Sequence, residues 1–209
     1  MRLQIALDIA DTARVLGIAD GVHDVIDIVE VGTPVILKEG LAPVRALKAR
    51  YPDLTVLADT KIMDAGALEA SDACEAGADI LTVLAVSDDA TIREAVDAAH
   101  ARSCEVMADL MCVRDIPARS RQLVALGVDY VCVHTGTDMQ RQGRTPLKDL
   151  EELVSAIDPG RACVAGGVSL ASVERYAALR PGIVIAGSAL YHAADIRAAV
   201  VAMTEALGS

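Results

Sequence analysis

The feature that most constrains this chain is a rhythm of short aliphatic runs. Eight of them recur: LQIALD (3–8), VIDIVEV (25–31), LTVLAD (54–59), ADILTVL (78–84), CEVMADL (104–110), VDYVCVH (128–134), ACVAGG (162–167) and GIVIAG (182–187). Each is rich in Val, Ile and Leu and has the length of a strand. They are apolar along their length rather than alternating, which predicts a sheet covered on both faces. Helical spacing fills the intervals at 65–76, 89–102, 116–126, 147–157 and 193–207. EAGAD (75–79) and ALGVD (125–129) place a glycine between helix and strand, where a φ above zero ends a helix. Eight βα units predict an α/β fold, a closed (β/α)8 TIM barrel with short helices. A doubly wound open sheet is the alternative, but neither GxGxxG nor GxxxxGK[ST] follows the first run. No linker or composition shift interrupts the rhythm, so a single domain over 1–209 is expected.

Composition narrows what such a barrel can bind. The chain is 53% hydrophobic but has no Trp, no Phe and only four Tyr, so its core must be aliphatic. A net charge of −11, with almost no aromatic platforms, excludes a nucleic-acid-binding face. A local phosphate pocket built from backbone N–H groups remains open. No apolar run approaches the ~20 residues that span a bilayer, and the N-terminal MRLQIALDIADTARV lacks the pattern of a secretory signal. The five cysteines (74, 104, 112, 132 and 163) show no metal-ligand spacing. No membrane association, reduced thiols and a cytoplasmic location are the expectations.

In a (β/α)8 barrel, chemistry collects where the strands end. The first run ends at Asp8, the second at Glu30, and the third at Asp59, with Lys61 and Asp64 following in VLADTKIMDAG (56–66). The fifth ends near Asp109, the sixth at His134, the seventh in Gly166-Gly167 and the eighth in Gly187-Ser188. Singly, each has a structural reading: an acid can cap a helix, a Gly-Gly can be a turn, and a histidine can serve only as a hydrogen-bonding partner. Together on one rim they describe a site.

Strand alternation, if it persists to Lys61, sends Asp59 and Lys61 to the same face. A lysine beside carboxylates stays charged and can stabilise an oxyanion. Glu30 and Asp59 on neighbouring strands offer hard oxygen ligands suited to Mg2+. His134 is the natural proton carrier. The glycines after the last two strands, Gly166, Gly167 and Gly187, fit the phosphate site that barrels build there. The residues alone therefore predict a phosphorylated small substrate, a divalent metal and an enolate-type intermediate.

The string ADTKIMDAG, with Asp59-x-Lys61-x-x-Asp64, resembles the signature of the orotidine 5′-monophosphate decarboxylase superfamily. ALD (6–8), VEVGTPVILKEG (29–40), GVDYVCVHTGTD (127–138), AGGV (165–168) and AGSALYHAAD (186–195) extend the likeness over almost the whole chain. Within the superfamily the combination is most similar to the 3-hexulose-6-phosphate synthase branch, whose members join formaldehyde to D-ribulose 5-phosphate. The resemblance implies Mg2+ on Glu30 and Asp59, and an enediolate stabilised by Lys61. It implies that His134 moves the C1 proton, and that Asp8 at the barrel floor holds Lys61 or the substrate hydroxyls. It also implies a homodimer in which Asp64 reaches the partner's site. The nearest rival is 3-keto-L-gulonate 6-phosphate decarboxylase, which has arginines where this chain has Thr137 and Ser188. Orotidine 5′-monophosphate decarboxylase needs a longer charged array and no metal, and ribulose-phosphate 3-epimerase needs more histidine ligands than His23, His100, His134 and His192 supply. A non-catalytic sugar-phosphate-binding barrel is the reading from outside enzymology. RQGR at 141–144 is expected as a solvated loop, with a phosphate lid as the other reading, and Asp88 is expected as the cap of the helix that follows it.

Overall fold

The computed structural model describes residues 1–208. Among the described residues, eight strands form a closed parallel barrel in sequence order, each paired with the next and the eighth with the first. They are β1 (Arg2–Leu7), β2 (Ile28–Val31), β3 (Thr55–Ile62), β4 (Ile80–Leu84), β5 (Glu105–Asp109), β6 (Tyr130–His134), β7 (Ala162–Ala165) and β8 (Ile183–Ala186). The helices are α1 (Thr12–Val22), α2 (Thr33–Glu39), α3 (Ala42–Arg50), α4 (Gly66–Glu75), α5 (Asp89–His100), α6 (Ile116–Ala125), α7 (Thr137–Gln140), α8 (Leu147–Ala156), α9 (Val173–Ala177), α10 (Ser188–Tyr191) and α11 (Ile196–Gly208). The (β/α)8 expectation is met.

Burial explains why the strands read as unbroken aliphatic runs. Outward-facing residues such as Leu3, Ile5, Val29, Val56, Leu81 and Val106 pack beneath the helices in one cluster. Inward-facing Ile28, Leu57, Ile80, Met107, Cys132 and Ile183 fill the barrel in a second. Each fully buried aliphatic side chain contributes about 1.5–3 kcal/mol relative to exposure. Gly77 and Gly127, at φ of 97° and 96°, supply the left-handed step between helix and strand that EAGAD and ALGVD predict.

The lower rim repeats one device. Asp27, Asp79 and Asp129 each stand just before an even-numbered strand and accept the N–H of a residue in the strand before it. The acceptances are from Leu3 at 2.8 Å, Val56 at 2.7 Å and Val106 at 2.8 Å. Lys48 pairs with Asp79 at 3.0 Å, and His100 lies 2.8 Å from Asp129.

Local details differ from expectation. Asp88 precedes α5 in cap position but makes no side-chain cap bond, while Asp89 pairs with Arg119 at 2.6 Å. The 141–144 stretch does meet its expectation as a solvated loop: it is exposed and outside the central cavity, with Arg141 paired to Asp138 and Arg144 to Asp149 at 3.0 Å. VEVGTPVILKEG contains α2, a helix absent from the sequence reading, with Pro34 in its first turn where a missing N–H costs nothing.

Candidate active site

The upper ends of the strands enclose a cavity of about 490 Å3. Four carboxylates (Asp8, Glu30, Asp59 and Asp109) line it together with Lys61 and His134. Gly166, Gly167, Gly187 and Ser188 form part of its wall. Of the site residues expected from the sequence, Asp64 alone stands outside. It is exposed, and its Oδ1 accepts the N–H of Ala65 at 2.7 Å.

Lys61 reaches the site by a route that simple alternation does not describe. β3 continues past Asp59 to Ile62, and its pairing with β4 shifts register between Ala58 and Ile62. Lys61 sits in that irregularity at φ 48°, an uncommon conformation for a residue with a Cβ and a form of strain found at functional sites. Thr82 on β4 holds the bulge in place: it accepts the Lys61 N–H at 2.9 Å and its hydroxyl donates to Asp59 Oδ1 at 2.8 Å. Thr33, opening α2, places its hydroxyl 2.7 Å from Asp59 Oδ2.

A charged chain then crosses the cavity. The Lys61 ammonium donates to Asp59 Oδ2 and lies 3.7 Å from Asp109 Oδ2. The same Asp109 oxygen is 2.7 Å from His134 Nδ1, and Asp109 Oδ1 accepts the N–H of Met111 at 2.8 Å. Asp109 thus connects the lysine to the histidine, a role that sequence reading leaves unassigned. With Nδ1–H donated to a carboxylate, the ring presents Nε2 as its free nitrogen.

The electrostatics follow from this crowding. Burial works against the Lys61 ammonium, but Asp59 and then Asp109 outweigh it and hold the lysine above its ordinary range. Burial also opposes ionisation of Asp59, yet Lys61 and the hydroxyls of Thr33 and Thr82 hold its carboxyl below the usual value. Glu30 has no cation in contact. Desolvation, and then the Asp59 charge, push it well above the ordinary carboxylate range.

Asp8 requires a correction. It lies beyond the end of β1, at the cavity mouth rather than the floor, and it makes no hydrogen bond to Lys61. The surrounding walls, and then Asp59, raise its carboxyl. Its seat depends on Gly32, where an added Cβ would stand 2.1 Å from Asp8 Oδ1. The floor is instead occupied by Gln4, fully buried, whose Nε2 donates to Glu30 Oε2 at 2.6 Å.

The opposite wall is bare backbone. Gly166 adopts φ 103°, and a Cβ there would meet the Thr135 carbonyl oxygen at 2.3 Å, so no other residue fits without displacing the backbone that follows β6. Such a wall lets an anion approach main-chain N–H groups.

Sequence reading misses Gln4, Thr33 and Thr82. The available signal for Gln4 is a lone amide inside LQIALD, since a buried polar residue in an aliphatic strand needs a partner. Thr33 and Thr82 give no comparable signal.

Residues 1–203 match the model of the Orotidine 5'-phosphate decarboxylase / HUMPS family. The chain is 42% identical over 195 residues to a 3-hexulose-6-phosphate synthase of Bacillus subtilis (strain 168), spanning 93% of both chains. It superposes with a TM-score of 0.96 on the crystal structure of 3-hexulose-6-phosphate synthase from Salmonella typhimurium, at 43% identity over 99% of this chain and 98% of that one. A 3-keto-L-gulonate-6-phosphate decarboxylase from Vibrio cholerae O1 biovar El Tor gives a TM-score of 0.87 at 26% identity, over 99% of this chain and 97% of that one. The chain therefore belongs to the Orotidine 5'-phosphate decarboxylase / HUMPS family.

Proposed function

We propose that the chain catalyses the aldol addition of formaldehyde to D-ribulose 5-phosphate, giving D-arabino-3-hexulose 6-phosphate. The observation that carries this reading is the Asp59–Lys61–Asp109–His134 chain facing a wall of bare glycine backbone. A fixed ammonium, an oriented imidazole and a wall of glycine backbone thus share one cavity. The 42% and 43% identities to synthases, against 26% to the decarboxylase, support the synthase over its rival. So do Thr137 and Ser188, which both line the cavity and carry no positive charge for a substrate carboxylate.

The donor set fits a divalent metal. Four carboxylates share the cavity with a single lysine, and Glu30, whose ionisation burial opposes, has no cation in contact. Among the described residues no group of three or more His, Cys, Asp or Glu side chains could hold a metal ion, so an ion on Glu30 and Asp59 would need substrate and water oxygens to complete its shell. Glu30 and Asp59 would hold Mg2+, which when bound supplies Lewis-acid polarisation of the ketone.

The protein's own residues account for the proton and charge movements. The phosphate rests against the backbone of Gly166, Gly167, Gly187 and Ser188. His134 Nε2 takes a proton from C1, while Asp109 holds the ring and stabilises the imidazolium that results. Negative charge develops on the C2 oxygen, and the Lys61 ammonium stabilises it. C1 of the enediolate attacks the formaldehyde carbon, forming the new carbon–carbon bond as the carbonyl π pair moves to oxygen. The imidazolium then returns its proton to that oxygen, and the ketone stands at C3 of the product. Lys61 acts as a cation throughout, so no Schiff base is needed. Asp8, at the mouth, receives substrate hydroxyls.

The enzyme works as a homodimer in this reading. Asp64 lies outside its own chain's cavity beside exposed Met63 and Leu68, as a residue serving a partner's site would. The free thiols at all five cysteines, and the absence of any helix long and apolar enough to cross a membrane among the described residues, suit a cytoplasmic enzyme.

The test is formaldehyde consumption with ribulose 5-phosphate, in Mg2+ and then in EDTA. Metal-dependent consumption supports the synthase reading. Decarboxylation of 3-keto-L-gulonate 6-phosphate without formaldehyde consumption would move the assignment to the rival.

A further inference from the structure

Gln4 sits on the inner face of β1, flanked in register by Ile28 of β2 and Ile185 of β8, both members of the aliphatic barrel interior. A leucine or methionine would fill such a position without cost. The amide instead leaves Oε1 buried and without a hydrogen-bond partner among the described residues, and a buried unsatisfied acceptor is destabilising. Of the residues with such an orphaned atom (Gln4, Ser120 and Thr135), Gln4 alone lines the catalytic cavity.

What the amide achieves is a hold on Glu30. Ala6, two residues on, faces Glu30 across the β1–β2 pairing, and its small side chain leaves room for Gln4 to reach Glu30 from the layer below. Gln4 Nε2 donates to Glu30 Oε2 at 2.6 Å, the sole hydrogen bond to that carboxylate among the described residues. One Glu30 oxygen is thereby fixed while Oε1 remains free of protein donors. We infer that Gln4 is a positioning residue for the metal: through its Nε2 it orients the Glu30 carboxylate toward the ion. This rests on the proposal that Glu30 is a Mg2+ ligand. Partners that orient a metal-binding side chain are worth about 10–100-fold in metal affinity.

The experiment uses Mn2+ alone as the probe. Free Mn2+ is read from its electron paramagnetic resonance signal in titrations of the full chain, alongside the Tm of the metal-free protein. Gln4→Met keeps the shape and removes both polar groups. It is expected to raise the Mn2+ Kd about tenfold or more while leaving the metal-free Tm close to wild type, and saturating Mg2+ should recover much of kcat. Gln4→Asn keeps an amide but withdraws it by one methylene; it should weaken Mn2+ similarly and serves where the methionine variant folds poorly. Wild-type Mn2+ affinity in both variants, whether or not Tm falls, overturns the inference while leaving Glu30 a ligand. Failure of the wild-type protein to bind Mn2+ overturns the metal reading and this inference together.

Discussion

The two ends of the barrel use the same residue type for opposite purposes. At the lower rim, Asp27, Asp79 and Asp129 each accept a backbone N–H from the preceding strand, and Asp79 and Asp129 each face a basic side chain as well. These acids are satisfied locally, and they fasten one strand to the next. At the upper rim, Asp8, Glu30, Asp59 and Asp109 converge on one ammonium and one imidazole. Their charges are left partly uncompensated, with Glu30 and Asp8 both raised by burial and by Asp59. An acid that serves the fold finds its partners within the chain; an acid that serves chemistry keeps capacity for something outside it.

The comparison can be broken most directly at Lys61. Lys61→Ala removes the cation that both holds Asp59 ionised and faces the developing oxyanion. It should lower kcat/KM by about 10^3-fold, as loss of such a stabilising group does, and steady-state kinetics would read it. Next come the two proton-handling residues. His134→Asn should slow the reaction by about 10^2–10^3-fold. Asp109→Asn should cost less, since it removes the group that orients the ring rather than the ring itself. An Asp109 variant slower than the His134 variant would show that the lysine contact, not the histidine contact, carries its role.

Glu30 sharpens the contrast through pH. Its folded-state pKa is raised, so the metal-free fold retains a proton that the unfolded chain releases. Stability is intact below the unfolded pKa and is lost as pH rises above it toward the folded value, at about 1.4 kcal/mol for each pH unit that separates the two. Glu30→Gln should abolish turnover yet raise the metal-free Tm, with a larger gain near pH 8 than near pH 5. Equal Tm values at both would contradict the uncompensated charge. The smallest catalytic effect belongs to the lower rim. Asp79→Asn should destabilise by about 1–3 kcal/mol, seen as a shifted denaturant midpoint, with kcat unchanged.

Much of this is legible in the sequence because doubly buried strands and their ends leave local signatures. Uninterrupted aliphatic runs mark the strands, and the acid, lysine, histidine or glycines after them mark the rim. Reading the first run to its end puts Asp8 on the rim, where it lies just past Leu7; it is the resemblance that misplaces it to the floor. Alternation puts Lys61 on the correct face for an incomplete reason, because a bulge at φ 48° is set by Thr82 on another strand. Thr33, Thr82, Asp109 and Gln4 act through contacts between residues separated by more than 20 positions, and such contacts leave no local pattern. The histidines divide similarly. His134 lines the upper cavity, whereas exposed His100 meets Asp129 at the lower rim.

The most direct test of the account is exchange of the C1 proton of ribulose 5-phosphate in D2O, followed by NMR with Mg2+ present and formaldehyde withheld. The wild-type protein and the Asp79→Asn variant should both exchange deuterium into C1, and His134→Asn should not do so at a comparable rate. Absence of exchange in the wild-type protein, or undiminished exchange without His134, would contradict the assignment of chemistry to the upper rim.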